Sequence, residues 1–97
     1  MSELAKAKLI SLTQFLVEEW NIDTKDRFIR RLSNKINQIA AYPDSCPKSE
    51  YFDNLYKCVV TTQTIFYYRI LWESREIEII TIFDMRQDPS TNRTDFI

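Results

Sequence analysis

Apolar residues recur every third or fourth position through Glu3–Ala41, then mostly every second position through Leu55–Asp84. The first rhythm is that of amphipathic helices and the second that of half-buried strands. Leu9, Leu12, Leu16 and Trp20 mark one helical stripe, which Ala5, Phe15 and Val17 widen. Lys6, Lys8, Gln14, Glu18 and Glu19 fill the opposite face. A break follows at Asn21-Ile22-Asp23, where Asp23 with Asp26 three positions on resembles a capping box with Asp in place of the usual Glu or Gln. A second helix is predicted from about Thr24 to Ala41, with Ile29, Leu32, Ile36 and Ile39 on its inner side. Its outer side carries Lys25, Arg27, Arg30, Arg31 and Lys35 against the single acid Asp26, and reads as a solvated face. So short a link between the helices implies an antiparallel hairpin spanning about residues 3–41.

Residues 42–54 read as a loop, because Pro43 and Pro47 cannot donate to a ladder and Asp44, Ser45 and Ser49 favour turns. Three strands are predicted after it, at about Leu55–Thr61, Ile65–Trp72 and Glu76–Phe83. Their connectors, Thr62-Gln63-Thr64 and Glu73-Ser74-Arg75, are too short for crossovers, so neighbouring strands must run antiparallel. The result is an α+β domain over residues 1–97: a helical hairpin packed on a meander of about 55–84, with a polar tail of 85–97 in which Phe96 and Ile97 could dock.

Alternation sorts the strand side chains into faces. Ile65, Tyr67, Arg69 and Leu71 share one face of the middle strand, and Phe66, Tyr68, Ile70 and Trp72 the other. Lys57, Val59 and Thr61 align on the first strand. Ile80, Ile82 and Asp84 align on the last, joined by Arg86 if no bulge intervenes. Helices cover only one face of such a sheet. A groove presenting Lys57, Arg69 and Arg86 beside tyrosine rings would suit a single-stranded nucleic acid, with cations on phosphates and rings on bases. The competing reading pairs these arginines with Glu78, Asp84 or Asp88 as structural ion pairs.

Composition narrows the chemistry. The 97 residues include no histidine, which excludes histidine triads, zincin motifs and histidine metal clusters. They include no glycine, which excludes P-loops and dinucleotide turns. Cys46 and Cys58 are too few for a disulfide scaffold and read as buried thiols. No apolar run reaches the roughly 20 residues of a membrane span, so a cytoplasmic location is expected. The net charge of −1 gives no global attraction to nucleic acid, leaving any such binding to a local patch. No metal or cofactor is expected.

The ordered segments FLVEEW, RFIRRLSNKINQIAAYP, SCPKSEYFDNLYKCVV, TIFYYRI and IEIITIFDMRQDP resemble the RelE/ParE superfamily of type II toxin–antitoxin toxins over almost the whole chain. The resemblance implies a sheet with the hairpin on one face and a functional groove on the other. It also implies a cognate antitoxin that holds the toxin silent. RelE-type members cleave mRNA on the ribosome, and ParE-type members inhibit DNA gyrase. The RelE-type activity is the first expectation; gyrase inhibition, or an inactive antitoxin-binding module of the same fold, is the alternative. For RNA cleavage, the resemblance makes Arg86 and Arg69 the donors that stabilise phosphorane charge, Lys57 a phosphate holder, and Tyr67 or Tyr68 a stacking or proton-transfer group. Asp84 stands where many RNase members carry histidine and is the matching catalytic candidate: an aspartate of ordinary pKa near 4 can act as a base but is a poor acid at neutral pH unless its environment raises that value. Family members usually open with a β-strand, which is missing here and would leave a sheet edge open to another chain.

Overall fold

The computed structural model describes residues 1–87, so the expected docking of Phe96 and Ile97 and any pairing by Asp88 lie outside the described residues. The elements are α1 (Glu3–Glu19), α2 (Ile22–Ala41), β1 (Tyr56–Val59), β2 (Thr64–Leu71) and β3 (Glu76–Asp84). The strands form one antiparallel sheet in the order β1-β2-β3, an α+β arrangement matching the RelE/ParE-like expectation. No strand precedes α1 among the described residues.

Each helix starts on a side-chain cap. Ser2 accepts from Ala5 N at 3.0 Å, and Asn21 accepts from Thr24 N at 2.8 Å and from the Thr24 hydroxyl at 3.0 Å. Asn21, not Asp23, is therefore the α2 cap, and the helix begins two residues earlier than the capping-box spacing suggests. Asp23 sits in the first turn, where its charge complements the helix dipole. Ala5, Leu12 and Leu16 are buried as the stripe predicts, but Trp20 is 57% exposed at the α1 C-cap. Phe28, Leu32 and Ile39 are the buried residues of α2, while Ile29 and Ile36 pack at the margin of the core. Phe28 widens the inner stripe beyond the aliphatic residues that mark it in sequence.

The main core joins these residues to Phe66, Tyr68, Ile79 and Ile82 on one face of the sheet, with Cys46, Cys58 and Val60 beside them. A second cluster lies on the opposite face: Leu55, Tyr67 and Phe83, with Phe52, Ile65 and Ile80 against them. The loop before β1 thus does more than connect. It folds Phe52 over the Tyr67 ring, edge to face, with centroids 5.0 Å apart. It also runs beside β1, through Ser49 N to Leu55 O (2.8 Å), Lys57 N to Pro47 O (2.9 Å) and a Lys48–Tyr56 bridge.

The register of β2 on β3 slips once. Tyr67 faces Thr81 and Tyr68 faces Ile79, leaving Ile80 as the extra residue of a bulge. Before it, Ile77 and Ile79 share the helix-covered face; after it, Ile82 and Asp84 do, opposite Phe66 and Thr64. Ile80 joins the second cluster instead. The expected common face of Ile80, Ile82 and Asp84 is thereby split. The same bulge presents successive carbonyls to the N-terminus: Ser2 N donates to Ile79 O at 2.8 Å, and the Ser2 hydroxyl to Ile80 O at 2.7 Å. Ser2 thus occupies part of the β3 edge that a preceding strand would pair with.

With no glycine available, Asn54 (φ 66°) and Arg75 (φ 57°) take the left-handed conformations before β1 and in the β2–β3 turn. Asn tolerates that region, whereas Arg75 adopts it at a steric cost. Trp72 leaves the predicted strand for this turn and is 64% exposed.

Thr81 is fully buried, and its hydroxyl has no hydrogen-bond partner. Replacing that group with a methyl removes an unmet desolvation cost. Thr81→Val should therefore raise unfolding stability by about 1 kcal/mol in urea titrations. A loss of similar size would mean the hydroxyl is satisfied.

Candidate functional site

The residues expected to share a groove are distributed over both faces and opposite ends of the sheet. Lys57 and Tyr67 are register partners on the face away from the helices, and Arg69 follows on that same face. Tyr67 is 4% exposed, enclosed by Phe52 and by Phe83, whose ring centroid lies 6.1 Å away. Burial raises the pKa of its phenol above the ordinary value, with a smaller contribution from Tyr51. Arg69 is exposed and held by Glu78 through Nε and Nη2, at 2.8 and 2.7 Å from Oε1. The two residues face each other directly across β2 and β3.

Tyr68 turns to the helix-covered face. It is fully buried, stacks on Tyr56 with centroids 5.3 Å apart, and donates its hydroxyl to Pro43 O at 2.7 Å. Desolvation, with smaller contributions from Cys46, pushes its pKa well above the ordinary tyrosine value. Both phenols therefore hold their protons firmly at neutral pH, and both ring faces are covered by protein.

Asp84 ends β3 on the helix side, 1% exposed, opposite Thr64. Its carboxylate accepts from the Thr64 hydroxyl, from Arg86 N at 2.8 Å, from Arg86 Nε at 3.1 Å and from Arg86 Nη2 at 2.8 Å. Four donors fill the roughly four acceptor positions that a carboxylate offers. The group is occupied as a clasp that fixes the chain leaving β3. Arg86 is thereby drawn towards α2, where it lines a cleft with Thr24, Arg27, Phe28, Arg31, Thr61, Thr62 and Gln63. In register, Asp84 and Arg69 are five positions apart along β2, about 17 Å at strand rise. The shared Lys57–Arg69–Arg86 groove does not form, because the bulge reverses the parity of the last strand. Both strand arginines adopt the ion-pair reading instead, one with Glu78 and one with Asp84.

Sequence reasoning missed the enclosing role of Phe52 and Leu55 and the meeting of Arg86 with α2. Phe52 among polar loop residues was the available signal for the first; nothing local signals the second. Cys46 and Cys58 are free and buried, as expected. Burial, with hydrogen bonding to Cys46, pushes the Cys58 thiol up to about 12. No group of His, Cys, Asp and Glu able to hold a metal ion occurs among the described residues. No helix among them is long and apolar enough to cross a membrane.

Compared with known proteins, residues 1–89 match the family described as ParE toxin of type II toxin-antitoxin system, parDE. No curated protein matches the chain.

Two outcomes follow from the buried groups. Arg86→Gln leaves the Asp84 carboxylate buried without its cation and should cost about 3 kcal/mol or more. Asp84→Asn combined with Arg86→Gln should cost less than Arg86→Gln alone, and strict additivity in denaturant titrations would refute the clasp. Cys58 should resist alkylation at pH 8 until the protein is unfolded, as read by mass spectrometry. Its folded pKa lies above the unfolded value of 9.0, so its contribution to stability is complete below pH 9 and is lost as pH rises towards 12. Melting temperature should fall across that alkaline window.

Proposed function

The chain belongs to the ParE toxin family of type II toxin–antitoxin systems, and we propose that it acts by gripping a protein target, as a gyrase inhibitor does, rather than by cutting mRNA. A type II toxin has a cognate antitoxin, and that partner follows from the family. The observation that carries the proposal is that the candidates for proton transfer, Tyr67, Tyr68 and Asp84, are buried and held by protein contacts, while Arg69 is ion-paired at the surface. Tyr67 and Tyr68 are enclosed, Arg69 is paired with Glu78, and Asp84 is saturated by Thr64 and Arg86.

Attack of a ribose 2′-hydroxyl on its own phosphate needs a base, a leaving-group acid and donors converging on one phosphorus. Here the phenols are raised in pKa away from the neutral range, and Arg86 follows Asp84, whose register position is about 17 Å along β2 from Arg69. An inhibitor that works by occupancy has no such requirement. A rigid surface suffices, and the double-sided core supplies rigidity.

Expression without antitoxin should induce the DNA-damage response while translation continues at first. The purified protein should inhibit supercoiling by gyrase. Arg69→Ala should leave growth inhibition unchanged, whereas a ribonuclease that used Arg69 on the phosphorane would lose roughly 10²–10³-fold in rate. Prompt translation arrest with mRNA cut inside codons, abolished by Arg69→Ala, would reverse the proposal.

A further inference from the structure

The cleft between α2 and the β1–β2 connection is lined by three arginines: Arg27 and Arg31, one turn apart on α2, and Arg86, remote in sequence, after β3. We propose that this cleft is a binding site for a phosphate group, and that Arg27, Arg31 and Arg86 are its charged ligands.

The composition of the lining comes first. Thr24, Thr61, Thr62 and Gln63 complete it as polar neighbours, over an apolar floor of Phe28, which is 3% exposed. Every polar side chain in the lining carries a hydrogen-bond donor, and none is a carboxylate. Asp84 lies behind Arg86 and is spent on it and on Thr64. Among the described residues, the three lining cations and this one acid leave an excess of two positive charges.

Arg86 is pre-oriented. Its Nε and one Nη2 hydrogen are held by Asp84, so three of the five guanidinium N–H groups remain. Its side chain is only 17% exposed, and the carboxylate behind it removes much of the rotamer freedom that an anion would otherwise have to quench. Arg27 is partly oriented too, with Nη2 3.3 Å from the Thr24 hydroxyl. Arg27 and Arg31 stand four residues apart, on the same side of α2, where like charges repel. A bound anion attracted to both offsets that repulsion.

Size and geometry select the anion. The cleft has a volume of about 190 Å³, below the roughly 300 Å³ at which pockets begin to enclose a whole small molecule. It takes one group and leaves the remainder of the ligand outside. Three forked guanidiniums offer more directed donors than the two oxygens of a carboxylate can use, whereas a tetrahedral phosphate presents three or more acceptor oxygens. In a chain of net charge −1, the attraction is local to this cleft and not a property of the whole surface. The proposal does not rest on the target of the toxin, and its test does not use toxicity.

The test is a titration of the full chain, at constant ionic strength, followed by ¹⁵N-resolved NMR of the Arg Nε and the Thr61–Gln63 amide signals. The probes are inorganic phosphate, acetate, a tetraglutamate peptide, and a single-stranded tetranucleotide with and without a 5′-phosphate. Phosphate should give saturable shifts confined to the cleft, and acetate and tetraglutamate should bind at least about tenfold more weakly. Tighter binding of both tetranucleotides than of inorganic phosphate assigns the site to backbone phosphodiesters. A gain only with the 5′-phosphate assigns it to terminal phosphates, and equal affinity of inorganic phosphate assigns it to small free anions. Each of these supports the proposal. Arg27→Gln/Arg31→Gln, at two exposed positions, should weaken phosphate binding at least about tenfold with the remaining spectrum unchanged. Arg30→Gln, outside the cleft, should not. The proposal is overturned if no saturable shift occurs, if tetraglutamate binds as tightly as phosphate, or if the double variant titrates like the native chain.

Discussion

One extra residue in β3 decides how the rest of the molecule is arranged. With Ile80 bulged out opposite Tyr67 and Tyr68, the strand presents odd-numbered residues to the helices before the bulge and even-numbered residues after it. Ile79 and Ile82 both reach the main core because of this slip, and Asp84 is carried to the helix-covered face. The two carbonyls beside the bulge accept from Ser2, which also caps α1, so one irregularity sets the sheet faces and anchors the first helix. A regular strand would have sent Asp84 and Arg86 to the opposite face, beside Lys57.

The functional consequence is a separation of charges that the strand pattern alone places together. Arg69 stays on the far face with Glu78, and Arg86 closes on Asp84 and turns to α2. The face that a nucleic acid would need is instead sealed by Phe52, Leu55, Tyr67 and Phe83, with Lys8 Nζ 3.9 Å above the Phe83 ring. Tyr67 packs in the second cluster, while Arg69 and Arg86 are each held in an ion pair.

The basic outer side of α2 illustrates how a plain reading can be incomplete without being mistaken. Lys25, Arg27, Arg30, Arg31 and Lys35 do form a largely exposed face, and Lys25 pairs with Asp26 at 2.8 Å. Arg27 and Arg31 differ from the others because the β1–β2 connection and Arg86 come up against them. A solvated stripe becomes one wall of a cleft only when another element approaches it.

Much of the architecture was legible in the chain. Period and turn chemistry determined the two helices, the loop, the three antiparallel strands and their order, because helix and strand repeats bury side chains locally and short connectors leave little topological freedom. The family was legible for the same reason, since it is carried by the order of these segments. Ion pairing for Arg69 and Arg86 was among the readings the residue types allowed. The sequence by itself therefore determined the elements, their order and the family. Only the tertiary structure decided which face Asp84 and Arg86 occupy, that Phe52 closes the second face, and that three arginines meet at one cleft. A bulge changes side-chain parity without leaving a mark in local composition, and the approach of residues as distant as Arg27 and Arg86 to one cleft arises from packing that no local pattern encodes.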